Sequence, residues 1–323
     1  MKENIVIVSG ARTAIGSFGG SLKNLEATDL GGIAIKEALK RGQVAPEDVN
    51  EVVMGCVGQA AENAFMARVS AIKAGIPYEA TALTVNRLCS SGLQAIVTAA
   101  MEIDEGFCEI AVAGGGESMN NIPYYIRKMR TGYRMGHGEV EDGLVTALSD
   151  PITRDHMGIT AENVAERYHV SREDQDKYAL LSQQRAAKAR DEGKFKDEIV
   201  PVEVKKKKET VIVDTDEGPR PGTTKESISK LRPAFKPDGI VTAANASGIN
   251  DGAAAVVVMS EKAAKELGVK PMATFVAGAL GGVDPSIMGV GPVASTKKVF
   301  EKTGLTIDDM DLVEANEAFA AQS

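Results

Sequence analysis

Cys89 is the side chain best placed for chemistry. It lies in residues 82–105, ALTVNRLCSSGLQAIVTAAMEIDE, where a strand-like run gives way to a polar turn and then to a helical pattern. Thr84 and Val85 are β-branched, as a buried strand prefers. Ser90, Ser91 and Gly92 break that run, and either serine can cap the helix that follows. A cysteine at such a helix start meets unpaired N–H groups and the positive end of the dipole. Both favour the thiolate, which is the nucleophile. The competing reading is a small buried cysteine that acts only as a hydrophobe.

The flanking elements must hold that turn. Leu93, Ile96, Val97, Ala100 and Ile103 recur at helical spacing, which predicts one buried face. Residues 5–8 read as an apolar strand, followed by the glycine-rich GARTAIGSFGG. No Lys-Ser/Thr follows its glycines and no helix opens directly after them, so a tight chain reversal fits better than a phosphate cradle. Residues 29–41 form an amphipathic helix ending near Gly42, 52–54 a strand, and 65–74 a helix. Residues 110–113 are a buried strand running into GGGESM. Alternation of this kind predicts a layered α/β domain.

The character changes between about residues 120 and 245. Arg127, Lys128, Arg130 and Arg134 lie in a basic, glycine-interrupted loop. Residues 160–168 and 172–192 are helical. Val200, Val202 and Val204 alternate, as do Val211 and Val213, giving a hairpin whose tip carries the lysines 205–208 as a solvated run. This segment reads as an insertion, and the α/β pattern resumes at the buried strand 253–259. The expected parts are residues 1–119, an N-terminal α/β half; 120–250, the inserted loop domain; 251–270, the end of that half; and 271–323, the start of a second half. A helix, an acidic turn and a strand recur in one order at 35–54 and at 297–314, which points to internal duplication. By that symmetry residues 311–314 should form a strand.

With 323 residues the chain can bury a large core, and its 25% charged and 43% hydrophobic residues are ordinary for a globular protein. A net charge of −8 argues against general nucleic-acid binding. Residues 1–10 show no signal-peptide pattern, and no apolar run is long enough to span a bilayer. The three cysteines, Cys56, Cys89 and Cys108, are too scattered for a disulfide framework or a zinc cage. A cytoplasmic protein without a membrane partner is expected.

These stretches together resemble the thiolase family. The matching pieces are ARTAIGSFGG, VNRLCSSGLQAI, GGGESM, HMGITAENVAERY, LRPAF, NASGINDGAAA, GVGPVAST and NEAFAAQ, in the family's order along the whole chain. The resemblance implies a duplicated βαβαβαββ core in a layered α/β/α/β/α arrangement with an inserted loop domain. It also implies that Cys89 carries an acyl group from acyl-CoA as a thioester in a ping-pong cycle. Asn316 matches the residue that holds a water in an oxyanion hole, although as a residue type it also suits a helix cap. For CoA, Arg220 and Ser227 match the adenine and pyrophosphate end. Leu148, Phe235, Ala243, Ser247, Ala318 and Phe319 match the pantetheine tunnel. His156-Met157 and Met288 match residues that crowd a short acyl pocket. His137 and His169 have no matching role and read as surface residues.

The implied reaction is the Claisen condensation of two acetyl-CoA into acetoacetyl-CoA and CoA, or its reverse, with CoA thioesters as substrates and no cofactor or metal. Alternatives are a broader-chain 3-ketoacyl-CoA thiolase of fatty-acid degradation and an inactive paralogue that only binds acyl-CoA or partners. The family's Gly-His-Pro histidine and Cys-x-Gly-Gly-Gly cysteine have no match in the sequence. The C-terminal part of the pattern is therefore expected to be absent, with the second half incomplete and activity of residues 1–323 in doubt. A homo-oligomer, dimer or tetramer, is implied, paired through residues 110–113 as an edge strand, with the basic loop reaching a neighbouring subunit.

Overall fold

The computed structural model describes residues 3–207 and 209–323, grouped in two compact units. Lys208, in the expected hairpin tip, and Met1 and Lys2, at the start of the segment read for a signal peptide, lie outside the described residues.

The first unit takes residues up to 122 together with 193–218 and 249–276. Its frame is a sheet whose main path joins six strands: β1 (Ile5–Thr13), β2 (Glu51–Gly55), β3 (Thr81–Val85), β4 (Ile110–Ser118), β5 (Asn250–Ser260) and β6 (Ala273–Thr274). Their order is β6-β1-β5-β4-β2-β3. The β1–β5, β5–β4 and β1–β6 pairs are antiparallel, and β2 runs parallel to both β4 and β3. The helices of this unit are α1 (Ala27–Gly42), α2 (Met66–Ala74) and α3 (Ser91–Asp104).

Period-two alternation sorts the sheet residues between two cores. Val6, Val52, Met54, Val112, Val257 and Met259 pack with α1 and α2, through Leu30, Ile35, Leu39 and Met66. Ile5, Val53, Ala111, Ala113 and Val258 pack with α3 on the other face. Helix α1 begins with a reciprocal capping box between Glu26 and Asp29 and ends on Gln43 in the left-handed conformation.

The second unit takes residues 123–192, 219–248 and 277–323. Its principal helices are α4 (Met157–Tyr168), α5 (Arg172–Asp191) and α6 (Gly291–Thr303). Its apolar cluster is built from Ala161, Ala165, Val241, Phe319 and Ala321, with Met157, Phe235 and Ala318 packed against it.

Four expectations are corrected. The strand read at 110–113 extends through the glycines of GGGESM to Ser118. Consequently β4 lies inside the sheet, between β5 and β2, and cannot be the edge through which copies pair; β3 is the edge on that side. Helix α3 buries Ser91, Ala95, Ala99, Ala100 and Ile103, while Leu93 stays 71% exposed. Small side chains win this face because the neighbouring strands carry glycine and allow the helix to sit close. Residues 311–314 form no strand, since no neighbouring strand pairs with them among the described residues, and Leu312 and Val313 are exposed.

At Gly114 a Cβ would strike the Ala254 carbonyl oxygen and the Ala255 Cα, both backbone atoms that cannot step aside cheaply. Gly114→Ala should therefore cost about 1–3 kcal/mol, the usual range for overpacking. A urea unfolding midpoint unchanged from the parent protein would refute this.

Candidate active site

Cys89 is the exposed cysteine, placed between β3 and the first turn of α3, whereas Cys56 and Cys108 are buried. The turn is made by short-range hydrogen bonds. The Ser90 and Ser91 amides donate to the Arg87 and Leu88 carbonyls at 3.2 and 2.9 Å. Neither serine caps the helix in the expected way: Ser90 holds the N-cap position without a side-chain cap bond, and Ser91 is the first helical residue. The Arg87 guanidinium donates to Gln94 Oε1 at 2.8 Å, tying the turn to the helix one step further on.

The other two thiols are set up to stay inert. Burial pushes the Cys108 thiol up to about 12, with Glu102 and Glu51 adding repulsion. Burial likewise raises Cys56, reinforced by the Glu117 carboxylate that accepts from its Sγ at 3.7 Å. Glu117 also accepts from the Val57 and Gly58 amides at 2.8 and 2.9 Å, fixing the loop that follows β2. Burial shifts its own carboxyl upward, although those amides oppose the shift.

Every other predicted site residue belongs to the second unit, and there they form a partly connected set. The His156 ring stacks on Phe235 with centroids 4.9 Å apart, and Phe235 meets Phe319 edge-on at 6.1 Å. His156 Nδ1 accepts from the Gly158 amide at 3.1 Å, so the neutral imidazole carries its proton on Nε2. Burial pulls the His156 pKa down, which keeps that neutral form to lower pH. The Met157 amide donates to the Leu148 carbonyl at 2.8 Å, and the Ser247 amide donates to that of Ala318 at 2.9 Å. Met288 lies in the 3-10 turn Pro285–Val290, which packs on α4.

Other predicted positions stand apart from this stack. Arg220 is exposed, and its guanidinium makes no hydrogen bond among the described residues, although its amide donates to Gln183 Oε1 at 2.8 Å. Ser227 is exposed in a capping box with Thr224. Ala243 is exposed beside the buried Thr242. Asn316 is exposed and lies outside any helix, so it caps none. His137 and His169 are exposed, the latter ending α4 in the left-handed conformation.

Several supporting residues escaped the sequence reading. Glu317, next to Asn316, accepts from the Tyr178 hydroxyl at 2.9 Å and the Ser182 hydroxyl at 2.6 Å. These two donors lie one turn apart on α5, an i,i+4 pair that a closer look at that polar helix would have flagged. Asn86 and Ser91 flank Cys89 closely, but nothing in their spacing distinguishes a clamp from an ordinary turn. Among the described residues no group of three or more His, Cys, Asp or Glu side chains is arranged to hold a metal. No helix among them is long and apolar enough to cross a membrane.

Comparison with known proteins agrees with this geometry. Residues 5–262 match the thiolase N-terminal domain and residues 269–323 the thiolase C-terminal domain. An acetyl-CoA acetyltransferase of Syntrophomonas wolfei is 51% identical over 100% of this chain and 82% of its own length. The Bacillus anthracis acetyl-CoA acetyltransferase superposes with a TM-score of 0.97 at 47% identity, covering 99% of this chain and 82% of that one. The human mitochondrial 3-ketoacyl-CoA thiolase in complex with CoA gives 0.94 at 46% identity, over 99% and 80% of the two chains. The match at 269–323 overturns the expectation that the C-terminal part of the pattern is absent, and with it the ground for expecting an inactive chain. The fold is the thiolase fold, and the chain belongs to the thiolase family of acyltransferases.

Proposed function

We propose that the protein is an acetyl-CoA C-acetyltransferase, joining two acetyl-CoA into acetoacetyl-CoA and free CoA, reversibly, through an acyl thioester on Cys89. The observation that carries this reading is the placement of Cys89. It alone of the three cysteines is exposed, in the turn that leads into a helix, one residue before the N-cap. In the first half-reaction its thiolate attacks the thioester carbonyl. The Sγ–carbon bond forms, the carbon–sulfur bond to CoA breaks, and CoA leaves to take up a proton. Asn316 is assigned the water that faces a developing oxyanion, an interaction worth most where solvent is excluded.

In this reading Arg220 and Ser227 meet the phosphate and adenine end of CoA, supported by the exposed Arg220 guanidinium, which makes no hydrogen bond among the described residues. Leu148, Phe235, Ala243, Ser247, Ala318 and Phe319 are assigned to the pantetheine arm, with Phe235, Ala318 and Phe319 sharing one apolar cluster. His156, Met157 and Met288 bound the acyl group, with the stack of His156 on Phe235 favouring a rigid, short pocket. The likeness to a 3-ketoacyl-CoA thiolase keeps a broader chain-length range as the second reading. Three unpaired cysteines suit a reducing cytoplasm. A homo-oligomer is part of the proposal, paired through the exposed edge of β3, where Leu83 is 41% exposed. The basic loop is assigned to a subunit contact near the CoA phosphates; within the chain, its Arg127 pairs with Glu141 at 2.6 Å.

Four measurements test this. Limited iodoacetamide followed by peptide mapping should modify Cys89 first, because burial and raised pKa keep the thiols of Cys56 and Cys108 protonated. Preferential labelling of either buried cysteine would remove the nucleophile assignment. Incubation with acetoacetyl-CoA and CoA should yield acetyl-CoA, with an acetyl group trapped on Cys89 and lost in Cys89→Ala. Each methylene added to the 3-ketoacyl substrate should lower kcat/KM by roughly ten- to two-hundredfold, as sterics in an apolar pocket predict. A flat chain-length profile would favour the broad thiolase. Light scattering at micromolar concentration should show a dimer or larger, and Leu83→Lys should shift it toward monomer; a parent protein that is wholly monomeric would exclude the β3 contact.

A further inference from the structure

We propose that Ser91 is a positioning residue for Cys89, holding the backbone on both sides of the nucleophile with a single hydroxyl. The proposal rests on Cys89 being the nucleophile. It starts from an outlier: Leu88, immediately before Cys89, has φ 47°. That left-handed conformation is unfavourable for a residue with a bulky side chain, and it persists only where the surroundings impose it. Side-chain packing does not impose it here, because Leu88 is 59% exposed.

Hydrogen bonds do. Ser91 Oγ accepts from the Arg87 amide at 2.9 Å and donates to the Leu88 carbonyl at 2.6 Å. One oxygen thus fastens the two residues before Cys89 to the second residue after it. The Leu88 amide is held separately, donating to Asn86 Oδ1 at 3.0 Å. Ser91 is itself only 4% exposed, so water cannot replace its bonds. Its position is fixed from behind by Gly55 at the end of β2. A Cβ at Gly55 would come within 2.5–2.7 Å of the Ser91 carbonyl carbon, Cβ and oxygen.

The hydroxyl is not spent on helix capping. Ser91 is the first residue of α3, and its side chain points its bonds backward to residues 87 and 88. Released from this clamp, Leu88 relaxes toward right-handed backbone and turns the Cys89 side chain away from its present exit.

The test compares Ser91→Ala, Leu88→Gly and the double variant. The readouts are the rate of Cys89 alkylation by iodoacetamide at fixed pH, the rate of acyl-enzyme formation, and its half-saturating acyl-CoA concentration. Ser91→Ala should slow alkylation and acylation about tenfold, with half-saturation within about twofold of the parent. Leu88→Gly should recover most of that loss in the double variant, because glycine adopts positive φ without strain. A serine that merely stabilised α3 would not be rescued by a change at residue 88. Parent-like alkylation of Ser91→Ala, or a double variant as slow as the single, would overturn the proposal. If Ser91→Ala does not fold, Leu88→Val decides: at this exposed site β-branching deepens the strain and should slow alkylation, and an unchanged rate would overturn the proposal. Failure of the parent protein to form an acyl-enzyme would count against the proposed function, while the alkylation rates still decide the role of Ser91.

Discussion

Backbone-to-backbone approach between β2, β4 and α3 is the constraint on which the rest of the first unit depends. Gly55 lies against Ser91, and Gly115 lies against the backbone of Gly55 and Gly92. On the far side of β4, Gly114 lies against Ala254 and Ala255. Each of these contacts replaces a side chain by main chain, so the nucleophile turn is held by atoms with no rotamers to lose. Alanine completes the arrangement, since Ala95, Ala99 and Ala100 let α3 sit low on the sheet. Close packing of this kind transmits small displacements rather than absorbing them.

The second unit carries the positions proposed to bind CoA, and it is built from different materials. A CoA thioester is long, and most of its surface is remote from the reacting carbonyl. Flat apolar contacts suit its arm, and the run from His156 through Phe235 to Phe319 is made of rings whose relative angles are fixed by stacking and edge contact. Backbone bonds pin this run from both directions: Ala318 receives the Ser247 amide, and the Ala320 amide donates to Asn245. Glu162 ties the loop opposite α4 by accepting from the Ile240 and Val241 amides. The surface that would bind is therefore organised before any ligand arrives, which lowers the ordering cost of association.

The sequence made the family and the cysteine turn legible because both reside in contiguous motifs. VNRLCSSG puts a cysteine, a turn and a helix start in eight consecutive residues. What it did not reveal were consequences of packing. Hydrophobicity alone assigns Leu93 to the buried face of α3; the helix instead turns its alanines onto Val53, Ala111 and Ala113 of strands distant in the chain. The apolar run marks a strand only over 110–113, since glycine weakens an isolated strand, yet β4 is paired on both sides and continues through the glycines to Ser118. Residues 311–314 show the reverse case, a strand-like stretch without a ladder to join.

Strain and binding meet in how such an acyltransferase can favour one step. Cys89, the proposed nucleophile, follows a residue in an unfavourable backbone conformation, held by a buried hydroxyl and a side-chain amide. The cost of that conformation is met during folding, once, so it is not levied again when substrate arrives. A flexible turn would reach the same geometry only part of the time, and its rate would fall by the fraction of time spent elsewhere. Because the clamp touches residues 87, 88 and 91 but none of the positions proposed to bind CoA, the proposal has it act on the chemical step without altering affinity for the CoA arm. On the proposed assignments, rate and affinity reside in separate parts of the sequence, the first in the turn around Cys89 and the second in the rings and loops of the other unit.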